Sequence, residues 1–322
     1  MFKVRTDLAL ETREAAVSKG MLDDGILFSE ERFGDISCST IEVITPQAKE
    51  QTGREIGAYV TVEFGRLWMK DHETFKRTVD IVAGKIRQLC GESGGFSNEG
   101  AREPRPEYSV LVAGLGNSSI TADSLGPRAL SNIIVTRHLK EQAPELYEDL
   151  SMTQLSAVAP GVLGQTGIES AAIIESISMK IKPSLVIVID ALASRKIARL
   201  ATTVQLSNTG ISPGSGVGNH RAAINSQLLG TKVISIGVPT VVDAATLAFD
   251  VLEETCEKNA VEMDENLTHA VLKNTLDSMD SNFFVTPKES DIVIGELSKL
   301  IGFAINRAFY DDISFEEMTR MV

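Results

Sequence analysis

Short, unbroken apolar runs at residues 110–113, 185–189 and 233–238 dominate the middle of the chain. Runs of this kind, without polar alternation, suit strands covered on both faces, as in a mostly parallel sheet. Between them, helical spacing predicts crossover helices over 127–140 and 168–180, and Pro183 prevents continuation of the second. Residues 202–206 alternate instead, which predicts an edge or half-exposed strand. The expected fold class is α/β, a mostly parallel open sheet flanked by helices, with its core at about 108–250.

The flanking regions have other patterns. A short helix is predicted near residues 7–18, strands at 41–44 and 59–63, and a longer helix over 72–89. This β-containing N-terminal subregion, about 8–100, ends in residues 91–100, whose glycines and polar side chains predict a flexible loop. Beyond Asp250 the chain turns acidic, and helices are expected over 251–279 and 287–309, within a C-terminal helical part of about 251–322. There is no internal repeat.

Composition narrows the functional classes. The 322 residues are 43% hydrophobic, enough to fill a sizeable core. A formal charge of -13 argues against a surface built to neutralise phosphates, so direct nucleic-acid binding is not expected. No eighteen apolar residues stand together and no apolar run follows the basic residues near the start, so neither a membrane span nor export is indicated. The three cysteines are scattered, which suggests neither a disulfide framework nor a zinc site and fits a reducing cytoplasm.

The chemistry-bearing residues fall just beyond the ends of the predicted strands, where open α/β sheets bind ligands. Gly114-Leu115-Gly116-Asn117 superficially matches a dinucleotide loop, but the third glycine and the later acidic residue are missing. Asp123 precedes the helix introduced by Pro127 and would serve equally as a capping carboxylate. Asp190 closes an apolar strand, where it could also be a ribose or magnesium ligand. Together the two aspartates could share a proton, one activating water while the other protonates a leaving group. A third loop, Pro213 with Gly214, Ser215, Gly216, Gly218, Asn219 and His220, has enough glycine to bring backbone N–H groups close to a ligand. Ser215 lacks the strand-to-helix elbow of a nucleophile.

Read together, these loops resemble the spore germination protease family. The resemblance rests on Gly114-Leu115-Gly116-Asn117, Asp123 through Pro127, Ser156 through Glu169, Ile189 through Arg195, Thr209-Gly210-Ile211 with Pro213 through Asn219, and Ile236 through Ala244. It extends to Val4 through Glu11 and to Val285-Thr286-Pro287-Lys288-Glu289. The resemblance implies an endopeptidase that degrades small acid-soluble, DNA-protecting spore proteins, with a core similar to hydrogenase maturation proteases. It implies a homotetramer made as a zymogen, acting in the cytoplasm of the spore, with Asp123 and Asp190 as the catalytic pair. Thr6-Asp7-Leu8-Ala9-Leu10-Glu11 looks like the family's substrate motif, so residues 1–7 would be a propeptide, cut at Asp7–Leu8, and 8–322 a single peptidase domain. Without the resemblance, the same stretch reads as a helix start capped by Thr6, with Leu8, Ala15 and Ala16 facing inward. Gly214, Gly216, Gly218 and Asn219 would line the substrate backbone. The chain departs from the family pattern at Ala122, usually Pro, and at His220, usually Lys.

Two rivals use the same loops. In a metal-assisted peptidase Asp123 and Asp190 would be ligands, although neither His138 nor His220 stands at a persuasive ligand spacing. A nucleotide- or nucleoside-binding module would use the glycine loops. Otherwise no cofactor is expected.

Overall fold

The computed structural model describes residues 6–18, 25–91, 108–150, 153–214, 222–259, 283–310 and 313–322, with Thr268 and Val271. Its strands are β1 (Ile26–Phe33), β2 (Ile36–Val43), β3 (Gly57–Glu63), β4 (Ser109–Gly114), β5 (Gln154–Val158), β6 (Leu185–Ser194), β7 (Thr203–Ser207), β8 (Lys232–Asp243) and β9 (Phe284–Val285). They form one nine-stranded sheet in the order β1-β2-β3-β7-β8-β6-β4-β5, with β9 paired to β8.

The sheet is mixed, which corrects the expectation of a mostly parallel one. Strands β5, β4, β6 and β8 run parallel, but β7, β3, β2 and β1 continue the sheet antiparallel. Connection length explains the reversal. Residues 195–202 alone link β6 to β7, too few for a parallel crossover, which takes a dozen or more residues.

Strand β7 is interior rather than an edge, paired to β3 on one side and β8 on the other. All five of its residues are buried. Its polar residues Thr203, Gln205 and Ser207 are buried too, and Gln205 is bonded to the N-terminal segment instead of to water.

Helices α1 (Ala9–Ser18), α2 (Pro46–Thr52) and α3 (His72–Cys90) accompany the N-terminal strands. Then come α4 (Leu125–Leu130), α5 (Leu139–Gln142), α6 (Pro144–Leu150), α7 (Leu163–Thr166), α8 (Ser170–Ile181), α9 (Ser226–Leu229), α10 (Ala244–Lys258), α11 (Ser290–Phe309) and α12 (Phe315–Met321). The helix expected over 127–140 is broken, because α4 stops at Leu130. The β-branched run Ile133-Ile134-Val135-Thr136 opposes continuation, and Ile134 and Thr136 give their amides to Asn306 Oδ1 and the Leu155 carbonyl. Helix α10 begins earlier than expected, at Ala244, where Asp243 caps it by accepting from Thr246 N at 2.9 Å. Most of 260–282, where that helix was expected to continue, and most of the 91–100 loop lie outside the described residues.

Although β1 is largely exposed, both faces of the sheet are buried at its central strands. On one, Val110, Val112, Ile187, Ile189, Val204, Leu206, Ile234 and Ile236 pack against α3 and α11. On the other, Leu111, Ala113, Val186, Val188 and Val233 meet α8 through Ile174. A third cluster brings Ala9 and Leu10 of α1 onto Ile41, Val43 and Tyr59 at the antiparallel end. Among the described residues no helix is long and apolar enough to cross a membrane.

Candidate active site

Strand β4 ends at Gly114, opposite Ile189 of β6, and the ladder continues one step further as Leu115 N donates to the Ile189 carbonyl at 2.8 Å. The chain then turns at Gly116, whose φ of +110° is rarely open to L side chains. A Cβ there would lie 1.9 Å from the Asp123 carbonyl oxygen, so glycine is required by space as well as by conformation.

Asp123 ends a 3-10 turn, Thr121–Asp123. Its carboxylate accepts from Asn117 N at 2.7 Å. It therefore holds the glycine loop, while α4 begins after Ser124 without a side-chain cap. Around Ala122 the turn is closed by Asp123 N to the Ile120 carbonyl at 2.9 Å and Ser124 N to the Thr121 carbonyl at 3.1 Å.

Asp190 is buried, 6% exposed, and accepts from its neighbour's amide, Ala191 N, at 2.9 Å. It follows Ile189, the residue to which Leu115 is bonded. Asp123 thus holds the last amide of the short Leu115–Asn117 turn, and the residue before Asp190 holds its first. Asn117 also ties in a third loop, since its Oδ1 accepts from Gln165 Nε2 at 2.7 Å.

In cross-strand register Asp190 stands beside Gly237 of β8, and Gly237 beside Gln205 of β7. Alternation directs Asp190 and Gln205 to the same face, opposite Ile189, Val204 and Leu206. Gly237 leaves the space between them free of a side chain of its own. Leu192 occupies part of it, with its Cδ1 2.4 Å from where a Gly237 Cβ would be.

The N-terminal segment lies on that face. Asp7 N donates to the Ala193 carbonyl at 2.8 Å, and Ala193 N donates to Asp7 Oδ2 at 2.8 Å. The Gln205 carboxamide spans the Asp7–Leu8 bond: Nε2 donates to the Asp7 carbonyl at 3.0 Å and Oε1 accepts from Ala9 N at 2.6 Å. Leu8 is fully buried. Glu11, 2% exposed, accepts from the amides of Arg195 at 2.7 Å and Lys196 at 3.0 Å, with Arg199 3.6 Å away. Arg199 also pairs with Glu14 and Glu63. Thr6 does not cap α1 in the usual manner: its Oγ1 accepts from Leu8 N at 3.0 Å and bonds to Glu11.

Gly214 is described, with φ +74°. Gly216, Gly218, Asn219 and His220 lie outside the described residues. His138 stands exposed before α5. Among the described residues no group of three His, Cys, Asp or Glu side chains is arranged to hold a metal ion. A groove of about 860 Å³ runs along α3 and holds none of the candidate residues.

The sequence profile described as germination protease matches residues 5–269, a span that includes Asp7–Leu8 and both aspartates. The chain belongs to the germination protease family. It is 40% identical to a germination protease of Caldanaerobacter subterraneus subsp. tengcongensis, over 99% of this chain and 98% of that one. A Clostridium perfringens germination protease is 38% identical over the full length of both, and one from Bacillus pumilus is 33% identical over 98% of this chain and 96% of the relative. Family membership makes the chain a peptidase, a hydrolase of the spore germination class. The residues that reading the sequence missed are Gln205 and Arg199; Glu11 reads as the end of the substrate-like motif. Gln205 is one polar position in an alternating strand, and nothing in its neighbourhood along the chain marks it.

Proposed function

We propose that this chain is an endopeptidase of the germinating spore, made as a zymogen that cuts itself at Asp7–Leu8 and then opens degradation of small acid-soluble, DNA-protecting proteins. Its site is the aspartate pair Asp123 and Asp190, on a core similar to that of hydrogenase maturation proteases. The observation that best supports this reading is the docking of Thr6–Glu11, which resembles a substrate, on the strand that carries Asp190. Ala193, the partner of Asp7, stands three residues beyond Asp190, about 10 Å along the strand.

In this mechanism one carboxylate takes a proton from water as the water oxygen adds to the Asp7 carbonyl carbon. The other, protonated, gives its proton to the Leu8 nitrogen as the C–N bond breaks. The products are a new carboxylic acid on Asp7, which releases its remaining water-derived proton to solvent, and a free amine on Leu8, and the pair is left with its proton exchanged between members. Because the two carboxyls act as one unit, activity follows their joint titration rather than that of either residue. The chain acts as a homotetramer in the spore cytoplasm, and Gly214, Gly216, Gly218 and Asn219 line the substrate backbone.

The test uses the full chain as wild type, Asp123→Asn and Asp190→Asn, each incubated alone and with a small acid-soluble spore protein. Wild type loses residues 1–7 by intact mass and cleaves the added protein after an acidic residue, and neither variant does so. Cleavage that persists in both variants overturns the mechanism. Cleavage abolished by a strong chelator and restored by a divalent metal replaces it with a metal-assisted one. Sedimentation of wild type tests the tetramer.

A further inference from the structure

The Asp7–Leu8 bond is not held by the side chains on either side of it alone. We infer that Gln205 is the group that holds the carbonyl of the bond to be cut, an assignment that rests on the cleavage reading above. Its carboxamide donates to the Asp7 carbonyl and accepts from Ala9 N, one residue beyond the bond. A primary amide has one donor and one acceptor end. Used together on a peptide's C=O and on the N–H two residues later, they recognise main chain and not side chain. The same clamp therefore fits any substrate segment lying in this conformation, whatever its sequence.

Position in the sheet supports a role in the reaction. Gln205 is buried, 8% exposed, on the same face and in the same cross-strand row as Asp190, with the side-chain-free Gly237 between them. The row is about 10 Å long, two strand spacings, and the docked segment is bonded to Gln205 at its end and to Ala193 beyond Asp190 on β6. As water adds to a peptide carbonyl, negative charge builds on its oxygen, and a donor already aimed at that oxygen from a buried strand stabilises the charge without rearranging. Gln205 Nε2 is such a donor. When the C–O bond to water forms, the carbonyl π electrons go to the oxygen that Nε2 holds; when the C–N bond breaks, they return.

The rival is that Gln205 is a latch, keeping the segment docked and uncut. Full-length Gln205→Leu and Gln205→Glu separate the two. Their self-cleavage is followed by loss of residues 1–7, and kcat and KM are measured on a peptide carrying residues 4–13 supplied in trans. Gln205→Leu should cleave about 100- to 1000-fold more slowly, the scale for loss of one oxyanion donor, with the loss in kcat. Gln205→Glu keeps the acceptor for Ala9 N and lacks the donor while ionised. Its rate relative to wild type should therefore rise as pH falls and the new carboxyl takes up a proton.

Variants that cleave within about threefold of wild type, or faster, overturn the assignment, as does a loss confined to KM. A Gln205→Glu to wild-type ratio that does not change with pH overturns it too, and that ratio stays readable even where Gln205→Leu folds poorly. Failure of wild type itself to cleave sinks the cleavage reading and takes the assignment with it. Variants that match a cleaving wild type sink the assignment alone.

Discussion

Replacing Gly116 with alanine tests whether the Leu115–Asn117 turn positions the aspartates. The new Cβ would lie 1.9 Å from the Asp123 carbonyl oxygen and 3.1 Å from its Oδ1, in a backbone conformation of φ +110°. Left-handed strain costs about 1–2 kcal/mol, and relief of an overpacked contact about 1–3 kcal/mol, so Gly116→Ala should lose about 2–5 kcal/mol of stability. Restoring ordinary contact with the Asp123 carbonyl needs a shift of about 1.5 Å, and displacement of a reacting group by 1 Å costs on the order of a hundredfold in rate. Urea unfolding gives the first quantity, and loss of residues 1–7 over time gives the second. Gly164→Ala is the control, since its Cβ would meet nothing within 4 Å and its backbone is not left-handed. The reasoning is refuted if Gly116→Ala unfolds and self-cleaves like wild type, or if Gly164→Ala loses as much.

Three further outcomes are expected. Leu8→Ala, which empties a fully buried position, should cost about 2–5 kcal/mol and speed hydrogen exchange along α1; unchanged exchange would mean that the segment is not anchored there. Burial would raise the Glu14 carboxyl, but hydrogen bonds and charge from Arg199 and Lys196 outweigh it and hold it at about 2, below its ordinary 4.5. That tie is therefore complete above pH 4.5 and is lost as pH falls through about 2, so Glu14→Gln should narrow the stability difference between pH 6 and pH 2 (about the ends of that window) in acid unfolding curves. Burial pushes the Cys38 and Cys90 thiols up to about 11 and 12, so alkylation of the folded chain near pH 8 should modify Cys256 first, as peptide mass mapping would reveal.

The three apolar runs identified β4, β6 and β8 because a strand buried on both faces needs unbroken apolar sequence, a local property. The strand-end positions of Asp123 and Asp190 followed from the same pattern, and the substrate-like Thr6–Glu11 stretch was legible as a motif. What each of them bonds to was not. Asp123 reads as a helix cap along the chain, and only the fold turns its carboxylate back to Asn117 N, beside the amide that bonds to Ile189. Strand β7 read as half-exposed because alternation reports that one face is polar but not what covers it. Here Gln205 is met by Asp7 and Ala9, nearly two hundred positions away, and that contact is what turns Gln205 into a clamp on the Asp7–Leu8 bond. Strand identity and candidate chemistry are thus set by local sequence, whereas the direction of β7 and the pairing of side chains across the site depend on contacts between distant residues, which no local pattern encodes.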